Sequence, residues 1–364
     1  VPLALLLLCA SLFAQDYLYK DFRDTNATYK LNAALDVKSD NLPLDFFDTD
    51  WKDYNKRRKD NSAFGVADIS ITRKMNNFTF GFFRQKTSKI YLNNALIEVL
   101  HNSQNDFANI LLDKNLYKEI GNAPLRGKVN DFDSFGFMLE KTFHPFSHHY
   151  FNTKVKLHYA TDFNYIKVHG SSTSSDFHGT LDYYYRDENK ISHAKNHSSN
   201  SYGYGYSVDL EYIYAREKFY FYFGVYNVAS YIFWKNVSLM HYYFDSNTIY
   251  VGNDGYKHYK PFGVGHYSYN IDFTQQIPTY ANGSLNYEIT KKIALGDNIS
   301  IYERMHYNEI YTNIKIASLR YKLGYVAENY NLVFAVYHNN FKIEISRGFD
   351  TSNRILQFKC EFLY

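Results

Sequence analysis

The chain has 364 residues, enough for one large domain or two ordinary ones, and 19% of them are aromatic, with 38 Tyr and 30 Phe against 2 Trp. A formal net charge of only +3 excludes the concentrated basic field of a nucleic-acid-binding protein. The high apolar and aromatic content excludes a disordered chain. Mean hydropathy is nevertheless negative, at −0.45. A soluble core this rich in Tyr and Phe would bring many Leu, Val and Ile with it. A membrane barrel instead needs one apolar face per strand, aromatic girdles at both interfaces and a polar interior. The composition fits the barrel.

In chain order, Val1 to Ala14 carry no charge, and the run Leu3 to Leu8 is followed by the small-residue stretch Cys9–Ala10–Ser11. This apolar block is too short to span a bilayer as a helix, which takes about 20 residues. It is expected to be a secretory signal peptide over residues 1–14, with a truncated start because the usual basic residues are missing. Lipidation at Cys9 is disfavoured, because Leu8 stands where a small residue is required. With Cys9 removed, Cys360 is the remaining cysteine, so no disulfide is expected within the mature chain. No later segment approaches the length of apolar run that a spanning helix needs.

Period-two alternation predicts strands at roughly 27–38, 63–73, 78–90, 133–143, 150–166, 176–186, 202–214, 219–229, 232–244, 284–294, 299–308, 312–324, 331–338, 341–347 and 354–364. That list is odd in number, and single-chain bacterial barrels have even counts. The expectation is therefore an all-β, antiparallel transmembrane barrel of about 14 strands, within 12–16. Turn signals stand at Lys74–Asn77, Ala215–Lys218, Gly296–Asn298 and Asn339–Asn340. In YGYGYSVDLEYIY, the residues Tyr202, Tyr204, Tyr206, Tyr212 and Tyr214 share an apolar face with Val208 and Leu210. They are expected to face lipid and both girdles. In the 150–166 strand, Val155, Leu157, Tyr159, Phe163 and Tyr165 oppose Lys154, Lys156 and His158. Further on, Ala317, Leu319, Tyr321 and Leu323 oppose Ser318, Arg320 and Lys322, while Phe341, Ile343 and Ile345 oppose Lys342, Glu344 and Ser346.

Three segments break the alternation. Residues 39–62 and 187–201 read as polar loops. Residues 91–121 show helical spacing at Leu92, Leu96, Val99 and Leu100, then at Phe107, Ile110 and Leu111. A helical insertion there, extending to 132, would either plug or cap the lumen or pack on its rim.

The chain ends RILQFKCEFLY, with Leu356, Phe358, Cys360, Phe362 and Tyr364 on one face and Gln357, Lys359 and Glu361 on the other. A final alternating strand ending on an aromatic residue resembles the terminal signal of bacterial outer-membrane β-barrel proteins. The resemblance covers essentially residues 15–364 and is one of class. It implies an outer-membrane location among lipid and lipopolysaccharide, assembly by the barrel-assembly machinery, and a last strand that closes against the first. Within that class the chain is loosely similar to the fatty-acid-uptake barrels, which have about 14 strands and an internal hatch. No binding residue of that family can be matched here.

The mechanistic handle lies in ionisable residues expected to face the lumen: Lys154, Lys156, His158, Asp209, Glu211, Arg320, Lys322 and Glu344. Charges along a watery pore bias which ions pass, and mixed signs predict little selectivity. His197 and Ser199 match the His-x-Ser step of outer-membrane phospholipases, but Ser201–Tyr202–Gly203 do not continue that family's motif. A nucleophilic serine also needs a base and a group orienting it, so a solvated loop is the better reading and no enzyme is expected. His144, His148 and His149 cluster without a nearby Asp, Glu or Cys to complete a metal shell. No cofactor or nucleic-acid motif is present. The function expected is a passive pore or gated uptake channel for a small solute. The alternative is a non-transporting barrel whose loops bind a partner or lipopolysaccharide.

Overall fold

The computed structural model describes residues 29–40, 42, 62–103, 120–174, 176–188, 194–196, 201–303, 305–327, 331–338, 341–348 and 355–363. The expected signal peptide, most of the 39–62 loop, His197–Asn200, the Asn339–Asn340 turn and Tyr364 lie outside them.

Strands β1 (Tyr29–Asp40), β2 (Ser62–Met75) and β3 (Phe78–Leu92) precede the helix α1 (Asn94–Ser103). Two long strands follow, β4 (Ala123–Phe146) and β5 (His149–Ser172), then β6 (Phe177–Tyr185) and β7 (Tyr202–Arg216). Next come β8 (Phe219–Tyr226), β9 (Tyr231–Asp245), a small hairpin of β10 (Ile249–Val251) and β11 (Lys257–Tyr259), and β12 (Gly263–Gln276). The chain continues through β13 (Tyr280–Thr290), β14 (Ile293–Tyr302), β15 (Met305–Ile316) and β16 (Leu319–Val326). It ends with β17 (Asn331–His338), β18 (Phe341–Gly348) and β19 (Ile355–Leu363).

All pairings are antiparallel, and β19 pairs with β1 from Lys30↔Leu363 to Lys38↔Ile355. The sheet therefore closes on itself, which is what a spanning sheet must do when lipid offers no hydrogen bonds to an open edge. The closed sheet contains seventeen strand segments, where about 14 strands were expected. The excess and the odd number have one cause. β6 and β7 lie end to end along β5, pairing with its 164–172 and 149–160 stretches. In the same way β8 and β9 run end to end against β13 and β12. Three rim-to-rim courses are thus each broken in two.

Short turns gather at one rim. Asn76, His148, Glu217 and Ala317 take left-handed φ values of 54°, 71°, 47° and 54° there, as two-residue hairpin turns require. The Lys74–Asn77 and Ala215–Lys218 signals mark two of these turns. Gly296–Asn298 does not: it lies within β14, where Gly296 pairs with Tyr311. A Cβ on Gly296 would stand 2.2 Å from the Tyr311 ring, so the glycine makes room for a lumenal side chain and does not turn the chain. The actual turn falls at Lys291–Lys292, and Ala317–Ser318 form a turn where a continuous strand was expected.

The opposite rim is uneven. Courses β14 to β19 are 8–12 residues long, about what a tilted strand needs to cross the hydrocarbon. β4 and β5 each have 24. With β6, β9 and β12 they form a tall wall rising well past the low one. The helical insertion expected over 91–121, or to 132, is corrected at its two ends, and its middle, residues 104–119 with Phe107, Ile110 and Leu111, lies outside the described residues. Tyr91 and Leu92 close β3, residues 123–132 belong to β4, and the helix among the described residues is α1.

The outward face of the lower barrel is apolar and exposed, for example Phe135, Phe137, Leu139 and Phe143 on β4, and Leu157 and Tyr159 on β5. An ion pair between Arg84 and Asp133 (2.8 Å) caps this band from above, as does Lys235–Asp272. Higher still, the outward face is covered. Leu92, Leu96, Ile97 and Val99 pack with Leu125, Val129, Ile166, Phe177 and Tyr183 in one buried cluster. Gly127 permits this approach, since a Cβ there would meet Leu96 at 2.6 Å. α1 thus packs against the outside of the tall wall.

Candidate functional site

Period-two geometry carries alternate side chains into the lumen, and on the lower barrel these are the polar ones. A cavity of about 180 Å³ starts at the short-turn rim, beside Lys74, Asn76 and Asn77, and reaches Phe64, Tyr226, Tyr280 and Tyr302. Four of the residues expected to face the lumen line it: Lys154, Lys156, Asp209 and Glu211. Lys154 pairs with Glu140 (3.4 Å) and Lys156 with Asp209 (3.4 Å). Glu211 accepts a hydrogen bond from Asn152 Nδ2 (2.8 Å), and Asp209 one from the Asn227 N–H (2.9 Å). Lys30–Glu361 (2.9 Å) and Lys38–Asp36 (3.4 Å) continue the pattern on the far side. Opposite signs alternate around the wall, which leaves no ring of one charge.

The other four stand elsewhere on the lumenal face. His158 is buried between Ser134 Oγ and Ser207 Oγ, each 3.0 Å from a ring nitrogen. Lys322 bonds Glu309 (2.8 Å) and approaches Glu344 (3.5 Å), which also faces Lys359 (3.8 Å). These charges fill the space between β15, β16, β18 and β19. Arg320, half-buried, sits by the Ala317 turn opposite Lys315 and Tyr337, away from the cavity.

The girdle residues divide by height. Tyr202, Tyr204 and Tyr206 are exposed on the outward face, and Tyr212 and Tyr214 are half-buried among Phe151, Phe219 and Phe221. Phe358 and Phe362 are half-buried on the outward face of β19. Of the histidine cluster, His149 Nδ1 lies 2.9 Å from the Tyr212 hydroxyl, and His144 meets the Tyr150 ring edge-on.

Sequence reasoning missed a layer of rings across the lumen. Tyr226, Tyr280 and Tyr302 stack at centroid spacings of 4.7 and 5.6 Å, and Phe64 of β2 meets Tyr302 at 4.6 Å from the far wall. Tyr302 donates to Asp36 (3.1 Å) and accepts from Lys38 Nζ (2.8 Å). A second group continues the layer: Phe163 stacks on Trp234 at 4.2 Å, packed with Phe132 and Ile277. Asn130 Nδ2 and Gln275 Nε2 tie β4 to the β12 end across the same level, at 2.9 and 2.6 Å.

Phe163 and Tyr165 correct the alternation read from sequence, which put them with Leu157. A register shift opposite Asp133/Ser134 leaves Thr161 unpaired and reverses the parity of β5. Both rings therefore point inward. Above the layer, Lys89 reaches Glu303 on the opposite low wall, beside a smaller cavity of about 100 Å³ that includes Lys128 and Asn130.

A closed antiparallel sheet with an apolar belt outside and paired charges inside is a membrane-spanning β-barrel, and its place is the bacterial outer membrane. Among the described residues no helix is long and apolar enough to cross a membrane. No protein-family model matches the chain, and no curated protein does. Among solved structures, it is similar to the "TodX deltaS2S3 mutant monoaromatic hydrocarbon channel", with 8% identity over 94% of this chain and 91% of that one, at a TM-score of 0.45. The "CymD monoaromatic hydrocarbon channel" matches at 8% identity over 98% and 94%, with a TM-score of 0.42. A FadL homologue of Pseudomonas aeruginosa matches at 10% over 92% and 87%, with a TM-score of 0.32. Likenesses this loose carry no argument about what passes through this barrel.

Proposed function

We propose that this protein is a gated outer-membrane channel for a small solute, held here in its closed form. The reading rests on one observation: a polar cavity entered from the short-turn rim ends against a layer of aromatic rings spanning the lumen. Short turns face the periplasm in barrels of this class, so the cavity is the periplasmic half of the path. Its volume, about 180 Å³, is on the scale of a small solute. Its balanced charges favour neither cations nor anions strongly.

The rings suit a gate because their attraction is modest. Aromatic pairs contribute about 0.5–1.5 kcal/mol each beyond area burial. Phe64 contributes no hydrogen bond to the layer, so its rotation alone would widen the contact with Tyr302. Lys322, Glu344 and Lys359 serve a different purpose in this reading, filling one side of the lumen and confining the path to the other.

Purified protein in planar bilayers provides the test. Wild type is expected to be closed most of the time, with brief steps. Phe64→Ala and Tyr302→Phe together should lengthen the openings, the second by releasing the ring from Asp36 and Lys38. Silence of wild type and variant alike would overturn the channel and favour a barrel that works through its surface.

A further inference from the structure

The tall wall has two edges, and they are built differently. Where β4 outruns β3, Asn93 closes its edge: the Asn93 N–H donates to the Arg126 carbonyl (2.9 Å), and Asn93 Oδ1 accepts from the Arg126 N–H (2.9 Å). Pro124, which has no N–H to offer, stands next along the edge, and Asn93 Nδ2 donates to its carbonyl. Proline and side-chain cover are the usual means of blunting an edge.

The other edge is β12. It pairs with β9 from Gly263↔Phe244 to Gln276↔Tyr231, and among the described residues no strand lies along its other side. β14, the next course, ends at Tyr302, one residue past the Ala281↔Ile301 pair, and never reaches it. The Asp245 N–H donates to the Phe262 carbonyl (2.8 Å), which fixes the phase of the ladder. Val264, His266 and Ser268 therefore point their main-chain groups at β9, while Gly263, Gly265 and Tyr267 point theirs away from it. Side chains on both faces are open to solvent, with Val264 43% and Tyr267 40% exposed. No Lys, Arg or Pro interrupts Gly263–Ser268, and the left-handed Asn270 bulge begins only beyond it.

We propose that the free edge of β12, from Gly263 to Ser268, is a docking site for an extended segment of another polypeptide at the cell surface, added as one more strand. Three N–H and three C=O groups presented in one row match the main chain of a strand and no other chemistry so well. A second copy of this protein fits poorly. Two copies in one membrane point the same way, so their β12 edges would run parallel, the less stable ladder. The inference is independent of the channel reading, since the edge lies above the lumen.

The test uses full-length protein in detergent and a fluorescein-labelled peptide of alternating Thr and Tyr with terminal Lys. Peptide binding should be saturable by anisotropy, and Gly265 and Tyr267 amides should exchange with solvent rapidly in the free protein and at least about tenfold more slowly with peptide. Gly265→Pro combined with Tyr267→Pro removes two outward donors without a bond to β9, and should weaken binding at least about tenfold. His266→Ala should leave binding unchanged. Unsaturable binding, binding indifferent to the proline pair, or amides already protected in the free protein would each overturn the proposal. So would a dimer in sedimentation that the proline pair dissolves. Should the proline variant fail to fold, the exchange measurement on wild type decides alone.

Discussion

The lower barrel and the tall wall are made from the same strands but bury opposite faces. Below the Arg84–Asp133 pair, β4 and β5 turn apolar residues such as Phe137 and Leu157 outward and charged ones such as Lys154 and Lys156 inward. Above it, the outward residues Val129 and Ile166 are buried under α1, while Lys128 and Lys167 on the inner face are exposed. The difference teaches that alternation records two environments without naming them. In the lower part the apolar side meets lipid; in the upper part it meets protein, and the polar side meets water.

Substitutions can break this contrast, and the largest effect is expected inside the lower barrel. Lys322→Met takes from Glu309 and the buried Glu344 the cation they share, and breaking buried pairs this way costs about 3–5 kcal/mol. Lys322→Met with Glu344→Leu should recover part of that loss, measured by denaturant unfolding from lipid vesicles. Leu96→Ala, in the cluster under α1, should cost about 2–5 kcal/mol, but only to the tall wall. Protease should then cut near α1 while heat-modifiable migration of the barrel stays intact. Leu157→Arg puts a charge on the lipid face and should cost about 2–4 kcal/mol, whereas Thr180→Arg, half-buried on the inner face of the tall wall, should cost less. Asp133→Asn opens the boundary ion pair and should cost at most about 1 kcal/mol, because Arg84 is largely in solvent.

How much was legible follows from the same contrast. β7 and β19 could be read directly, since each has one apolar and one polar face along its whole length. Asp209 and Glu211 could be placed by parity for that reason, and Lys154 and Lys156 because β5 keeps one parity up to Ala160. β12 was missed because its stretch Val264–Asn270 (VGHYSYN) is open to solvent on both sides and so carries no alternation. Phe163 and Tyr165 were placed on the wrong face because a bulge at Thr161 is a pairing event with no residue signature of its own. The ring layer escaped notice because Tyr226, Tyr280 and Tyr302 sit at strand ends, where a lumenal aromatic and a girdle aromatic look alike in sequence.

The account depends on side chains along β5 switching sides at Thr161, from Lys156 and His158 inward to Phe163 and Tyr165 inward. Spin labels on single cysteines from 154 to 166, in a Cys360→Ala background in lipid vesicles, measure this through their collisions with oxygen and with a polar nickel complex. Labels at 155, 157 and 159 should favour oxygen, and those at 163 and 165 should be shielded from both reagents. An unbroken period of two through 165, with labels at 163 and 165 facing lipid like 157, would contradict it.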